Sequence, residues 1–425
     1  MKIFLDSIGC RLNQSEIEKI ALQFRRSGHE IVAKANQADL IVVNTCAVTA
    51  AASSDSRQHI RQASRQSHAR IVATGCWATI EPQIALELPS VTKVVKNDEK
   101  DQLVADILCS SEEVQCNINL VRIPLPGQHR RTRSFIKVQD GCDHNCTYCI
   151  TRIARGKSRS QPIEEILSDI QSASMGGVKE IVLSGTQLGS WGKNFGSPIN
   201  LTNLINEIFA RTDIPRVRLS SIEPWDIEED FFKLFQNSRF CHHFHIPFQS
   251  GCVETLRKMG RKGTPEEYRR LIYQIRMVAP DCAITTDIMV GFPGETDFEF
   301  QQSLDFVQAQ RFAGGHVFSF SARPGTPAMH LPDPVSAPIK KMRSAQMRDI
   351  LSKSAFAFRM NFLGKEKEVL WEKSTLLEDK KWMLEGLTDN YIRVNTKNGQ
   401  DRWNQLSMVK IMDISYPIVS GDIIE

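Results

Sequence analysis

The stretch Phe135-Ile-Lys-Val-Gln-Asp140-Gly-Cys142-Asp-His-Asn-Cys146-Thr-Tyr-Cys149 puts three thiols into one loop directly after a strand-like run, Phe135–Val138. That run is the first of six between Ser134 and about Phe358; the others are Glu180–Ser184, Val217–Ser221, His243–Phe248, Ile284–Val290 and His316–Phe320. Helical patterns separate them, notably Pro162–Met175, Pro265–Val278 and Asp297–Gln310. Repeating βα units of this length predict a parallel, partial (β/α)6 barrel with right-handed crossovers. Chemistry in such barrels collects at the C-terminal strand ends. The polar turns fall there: Asp140-Gly-Cys142, Ser184-Gly-Thr-Gln187, Ser220-Ser-Ile-Glu-Pro224, Gln249-Ser-Gly251 and Gly291-Phe-Pro-Gly-Glu295.

The spacing C-x3-C-x2-C lets Cys142, Cys146 and Cys149 hold three irons of a 4Fe–4S cluster, whose usual ligand set is four cysteines. A missing local fourth ligand leaves one iron open to a reactant. The alternative is a zinc site of Cys146, Cys149 and a distant pair, but no second C-x2-C occurs in the chain.

Upstream, Met1–Asp6, Ala38–Asn44 and Arg70–Ala73 read as short buried strands alternating with helical runs, a parallel α/β layer over residues 1–120. Cys10, Cys46 and Cys76 each lie just past one of these strands. Parallel strands would bring all three thiols out at one sheet edge, where open α/β layers bind ligands. The alternative is three separate buried cysteines, a common fate for that residue.

Residues 121–133, with Pro124-Leu-Pro-Gly-Gln-His-Arg-Arg-Thr-Arg133, read as a linker into the barrel at 134–358. Beyond 359 the runs Glu366–Trp371, Trp382–Leu387, Tyr391–Val394 and Met408–Ile414 predict a small antiparallel β-barrel over 359–425.

Eleven cysteines, an odd count in a long chain, argue for metal binding over a disulfide framework. No apolar run approaches a membrane span. The opening Met1-Lys-Ile-Phe-Leu-Asp-Ser-Ile-Gly-Cys10 reads as a strand and turn, not a secretory leader, so a cytoplasmic location is expected. Residues 121–160 hold nine Lys/Arg against two Asp, while the last 63 hold nine against eleven acids. The basic middle hints at a polyanionic partner. Arg57, Arg61 and Arg65 share one helix face, and Arg130, Arg131 and Arg133 crowd the linker; all are candidates for phosphate contact or for a solvated surface.

The loop Cys142–Cys149 resembles the signature of the radical-SAM superfamily. Gly9-Cys10-Arg-Leu-Asn13-Gln14, Asn44-Thr45-Cys46-Ala-Val48 and Thr74-Gly75-Cys76 resemble the N-terminal domain of the methylthiotransferases. Arg155-Gly156, Glu180–Gln187, Pro247–Gly251 and Gly291–Thr296 extend the likeness over nearly the whole chain. Ser221-Ile-Glu-Pro224, His316-Val-Phe318 with Arg323-Pro-Gly-Thr-Pro327, and Glu385–Val394 resemble the MtaB-like branch, which acts on N6-threonylcarbamoyladenosine in tRNA. The terminal barrel is similar to a TRAM domain, an RNA-binding module. One departure is Thr151-Arg152 after Ile150, where the family has Ile-Pro, which leaves the chain path out of the loop less constrained.

The resemblance implies two 4Fe–4S clusters, one on Cys142, Cys146 and Cys149 and an auxiliary one on Cys10, Cys46 and Cys76. It implies that the first binds S-adenosylmethionine and yields a 5′-deoxyadenosyl radical that takes hydrogen from C2 of the adenine. Sulfur, methylated by a second S-adenosylmethionine, would come from the auxiliary cluster. Implied cofactor contacts are Ser184, Gly185 and Thr186 for the methionine part, Ser220 and Glu223 near the ribose, and the backbone of Val290, Gly291 and Phe292 near adenine. Ser220 could equally be a strand-end cap, and Tyr148 is expected to pack over the cofactor. Implied partners are tRNA, an electron donor such as flavodoxin or ferredoxin, and a sulfur donor, with no membrane. Lys380, Lys381 and Arg393, or stacking by Trp382, Tyr391 or Trp403, would supply the terminal barrel's grip on RNA, unless these aromatics are barrel core. Cys241-His-His-Phe-His245 with Cys252 could be read as a third metal knot, but strand alternation sends neighbours to opposite faces. Cys109, Cys116 and Cys282 are expected to be ordinary core or surface thiols. The competing readings are methylthiolation of a ribosomal protein side chain or of isopentenyl-adenosine in tRNA, and a two-cluster electron carrier, which would need far less scaffold.

Overall fold

The computed structural model describes residues 1–108, 125, 132–415 and 418–424. Cys109, Cys116, Arg130, Arg131 and nearly all of the 121–133 linker lie outside the described residues.

Leu40–Thr45 is buried at every position, as a central strand covered on both faces must be. It is β3 of a parallel sheet with β1 (Lys2–Ser7), β2 (Glu30–Ile31), β4 (Arg70–Gly75) and β5 (Val91–Val95), in the order β2-β1-β3-β4-β5. Helices α1 (Arg11–Arg26) and α2 (Ala50–Gln66) supply two of the crossovers. β2 and β5 went unread in the sequence: one has two residues, and the other, Val-Thr-Lys-Val-Val, is partly exposed at the sheet edge.

The expected partial barrel is present as two three-stranded parallel sheets. One holds β6 (Arg133–Lys137), β7 (Glu180–Ser184) and β8 (Arg216–Leu219); the other holds β9 (His243–His245), β10 (Ala283–Val290) and β11 (Gly314–Ser319). A parallel bridge between Val217 and Phe240 joins them, so the barrel stays open between β11 and β6. Ile181, Leu183, Val217, Leu219, Phe244 and Ile284 point outward into a core shared with α3 (Ile163–Met175), α4 (Leu201–Arg211), α5 (Pro265–Val278) and α6 (Asp297–Gln310). Thr264 and Thr296 start α5 and α6 with reciprocal capping boxes to Glu267 and Glu299, which fixes those helix starts in the sequence itself. The alternate strand positions face the lumen and include the polar or charged Arg218, Glu180, His243 and Thr285 beside the apolar Phe135 and Val182.

Helix α7 (Ala337–Met360) leads to a closed barrel of β12 (Glu366–Leu376), β13 (Trp382–Thr388), β14 (Arg393–Asn398), β15 (Leu406–Ser415) and β16 (Ile418–Ile423), ordered β12-β13-β14-β16-β15. It is not wholly antiparallel: β14 and β16 close it with a parallel pair, Val394 opposite Val419. Among the described residues no helix is long and apolar enough to cross a membrane.

Candidate functional site: two thiol triads joined by a buried ion network

Gly141 has φ +71, and a Cβ there would lie 1.9 Å from the Lys157 carbonyl oxygen, so only glycine lets the chain turn into the cysteine loop. Gln139 braces the turn, donating from Nε2 to the carbonyls of Asp140 (2.9 Å) and Gly141 (2.7 Å). The loop's far side is fastened by Thr147 N to the Met259 carbonyl (2.9 Å) and Thr147 Oγ1 to the Lys258 carbonyl (2.9 Å). Cys142, Cys146 and Cys149 are free and half-buried. Burial pushes the Cys142 thiol up to about 12, and the other two thiols add to the rise, which places all three within one electrostatic neighbourhood. Cys142 Sγ donates to Gln187 Oε1 at 3.3 Å and accepts from His144 N at 3.4 Å. Three thiols grouped in one loop fit a cluster that needs thiolates and one open iron.

The N-terminal thiols converge as the parallel sheet requires. Cys10, Cys46 and Cys76 follow β1, β3 and β4, three adjacent strands whose ends are in register (Ser7 with Asn44, Asn44 with Thr74). At Gly9, φ +102, a Cβ would sit 2.6 Å from Cys46 Sγ, so the turn bearing Cys10 lies directly on Cys46. Cys46 is pushed up to about 11 by burial, with Cys10 and Cys76 adding. Cys76 Sγ accepts from Asn97 Nδ2 at 3.7 Å, and Cys10 Sγ faces Asn13 Oδ1 at 3.7 Å. This triad also fits a thiolate-held cluster.

A buried ion network that the motif reading missed lies between the triads. Arg155 donates to Glu16 Oε1 (2.8 Å), Asp140 Oδ1 (2.9 Å) and Asn13 Oδ1 (2.7 Å). Lys100 reaches Glu16 (2.7 Å) and Asn44 (3.1 Å), and Lys137 lies 3.6 Å from both Glu16 and Asp140. Burial would raise the Glu16 carboxyl, but Arg155, Lys100 and Lys137 outweigh it and hold it well below the usual range. Arg155-Gly156 was visible as a motif; Glu16 and Lys100 sit in ordinary helical sequence and carry no local signal. Thr151 and Arg152 open a short helix, Thr151–Arg155, that delivers Arg155; the absent proline would have fallen in its first turn, so the helix forms without it.

Of the implied cofactor contacts, Ser184, Gly185 and Thr186 end β7 and Ser220 and Glu223 follow β8, at the same barrel mouth as Cys142. Thr186 Oγ1 lies 3.5 Å from Asp140 Oδ1, and Gly185 passes so near Gln139 that a Cβ would be 2.9 Å from its Oε1. Ser220 is buried with its hydroxyl unpartnered, as a group awaiting a ligand would be. Glu223 is held by Arg261 (2.8 and 3.0 Å). The Val290–Phe292 backbone is already engaged: the Val290 carbonyl accepts from Phe320 N, Gly291 N donates to Glu295 (2.6 Å), and the Phe292 carbonyl accepts from Glu295 N. Tyr148 packs edge-on against Phe292.

Other candidates separate. Cys241 lies by Glu180 and His243 stacks on Tyr391, so Cys241–His245 and Cys252 form no knot. His242, Asp281 and Asp389 do approach one another, but the Lys367 ammonium pairs with Asp281 and lies 3.6 Å from Asp389, supplying the cation itself. Cys282 is buried. Arg57 lies over the Trp77 ring, whereas Arg61 and Arg65 are exposed. Arg133 pairs with Glu372. Lys380, Lys381 and Arg393 are exposed, and Trp382 and Trp403 are half-buried, the former against the barrel core.

Two family descriptions match the sequence: "Radical SAM superfamily" over residues 136–307 and "Uncharacterized protein family UPF0004" over residues 2–96. The chain is 37% identical to the threonylcarbamoyladenosine tRNA methylthiotransferase MtaB of Thermotoga maritima, over 92% of this chain and 90% of that one. It is 29% identical to the tRNA-2-methylthio-N(6)-dimethylallyladenosine synthase of Acetivibrio thermocellus, over 99% and 90% of the two chains. Among solved structures, the radical S-adenosylmethionine methyltransferase TsrM of Kitasatospora setae superposes with a TM-score of 0.58 at 16% identity, covering 77% of this chain and 75% of that one, a likeness of fold. With the barrel, its cysteine loop and an MtaB relative matched over at least nine-tenths of both chains, the chain belongs to the radical-SAM methylthiotransferase family, on its MtaB-like branch.

Proposed function

We propose that this enzyme replaces the C2 hydrogen of N6-threonylcarbamoyladenosine, beside the anticodon of tRNA, with a methylthio group. The observation that carries the reading is the convergence of two separate thiol triads, one at each strand-end edge, bound together through Arg155. Two 4Fe–4S clusters would occupy them, one on Cys142, Cys146 and Cys149 and one on Cys10, Cys46 and Cys76. When bound, the first supplies an open iron for S-adenosylmethionine and the electron that cleaves it, and the second supplies sulfur. The chain's own residues bind and orient: Ser184, Gly185 and Thr186 the methionine end, with the unpartnered Ser220 hydroxyl facing the sugar. The three parts, 1–120, 134–358 and the TRAM-like 359–425, would be the sulfur, radical and RNA modules. An electron donor such as flavodoxin or ferredoxin and a sulfur donor complete the reaction, in the cytoplasm.

Anaerobic reconstitution is expected to load about eight irons per chain, four for each triad. Iron settling near four, with one triad open to alkylation, would remove the second cluster. The substrate is tested with purified tRNA bearing threonylcarbamoyladenosine, read by mass spectrometry of its nucleosides. A methylthio product is expected; unchanged tRNA beside a modified ribosomal protein, or product only on isopentenylated tRNA, would replace this reading.

A further inference from the structure

Three parts of the chain meet at Arg11. The residue follows Cys10 and opens α1, its guanidinium lies 5.9 Å from the centre of the Phe135 ring on β6, and Nη2 donates to the Tyr391 hydroxyl at 3.1 Å. Ile136 and Val138 face the outer core, so alternation turns Phe135 toward the lumen. β6 borders the gap in the barrel, and across that gap β11 exposes His316 and Phe318. Arg11 therefore stands where a ligand would enter the lumen, next to the N-terminal thiols.

Tyr391 arrives from the terminal barrel and forms the floor of this space. Its ring stacks on His243 (4.1 Å, 8° between planes) and lies 5.2 Å from the Arg218 guanidinium. Tyr391 has φ +65, an unfavourable conformation for a bulky residue that the surrounding contacts must hold. Of the other charges nearby, Arg218 is paired with Glu180 and Arg133 with Glu372, and Asp287 Oδ2 lies 3.2 Å from His245, its Oδ1 having no partner among the described residues. Among the described residues Arg11 has no carboxylate partner. His243 is held well below the usual imidazole range by burial and then by the charges of Arg218, His245, Arg11 and Arg133.

A threonyl group attached through its nitrogen leaves a free carboxylate, and a guanidinium fork matches both oxygens. We infer that Arg11, oriented by the Tyr391 hydroxyl, receives the carboxylate of the threonylcarbamoyl group and so selects adenosines that already carry it. This rests on the substrate proposed above and adds the residue that recognises it.

The test compares reconstituted wild type, Arg11→Gln, Arg11→Lys and Tyr391→Phe on tRNA with threonylcarbamoyladenosine and on the same tRNA with plain adenosine there. Readouts are KM and kcat for modification and the affinity of each RNA by fluorescence anisotropy. Wild type is expected to prefer the threonylcarbamoylated RNA. Arg11→Gln should raise KM for it by about 10- to 100-fold, the loss of one charge-assisted contact, and bring the affinity ratio of the two RNAs toward one. Arg11→Lys should recover part of that ratio, which a purely structural arginine would not. If Arg11→Gln fails to hold iron, Tyr391→Phe decides, because it removes only the orienting hydroxyl and should narrow the ratio by a smaller factor. An unchanged ratio in the folded variants overturns the inference. Wild type that ignores threonylcarbamoylated tRNA overturns the substrate reading itself, a distinct result.

Discussion

Replacing Cys146 with alanine is expected to abolish both cleavage of S-adenosylmethionine and methylthiolation of tRNA, whereas replacing Cys46 abolishes only the second. Cys146 sits in the barrel loop with Cys142 and Cys149, and loss of one of the three thiols there would leave the proposed cluster two protein ligands. Cys46 lies after β3 in the other layer, hydrogen-bonded through its backbone N to Ser56 Oγ at 3.0 Å, a contact that does not involve its thiol. The substitution should therefore leave the sheet folded, with 5′-deoxyadenosine still formed and no methylthio product. Liquid chromatography of 5′-deoxyadenosine, beside nucleoside mass spectrometry and circular dichroism, reads all three. Methylthiolated tRNA from a folded Cys46→Ala enzyme would make the N-terminal triad structural and end the two-cluster mechanism.

The second large effect falls on stability. Glu16→Gln removes the anion that Arg155, Lys100 and Lys137 share; Arg155 and Lys137 keep Asp140 as their carboxylate, while Lys100 is left with the neutral Asn44. Breaking a buried network from one side costs about 3–5 kcal/mol, because the remaining charges keep their desolvation penalty. The urea midpoint of the metal-free protein should fall accordingly, and a loss below about 0.5 kcal/mol, the range of ordinary surface substitutions, would contradict it. The pH dependence has a definite sign. Both Glu16 and Asp140 are held low in the folded chain. Their contribution is complete above the unfolded carboxylate value of about 4 and is lost as pH falls through the folded ones. Wild type should lose stability steeply in that acid window, and Glu16→Gln should lose less there.

The sequence by itself determined the main elements and the two thiol sets. Six strand-like runs with intervening helical periods, the caps at Thr264 and Thr296, and fully buried Leu40–Thr45 each carry their signal within a few residues. The thiol sets were legible for the same reason: a glycine or a strand end immediately before each loop says where the chain must turn. Glu30–Ile31 was not, because it is two residues long and its partner, Lys2–Ile3, lies a helix away in the chain. Nor was Ile418–Ile423, because Ser420, Gly421 and Asp422 are poor strand formers that only pairing with the adjacent Leu406–Ser415 holds extended. Only the tertiary structure decided how the sites are joined. Glu16 meets Arg155 across 139 positions, and Arg11 meets Tyr391 across 380. Tyr391 could be read as an RNA-stacking residue, yet it is spent on His243 inside the barrel. A charged or aromatic residue looks the same in a sequence whether it faces water or a partner; its partner, and therefore its role, is set by which surfaces the packed layers bring together.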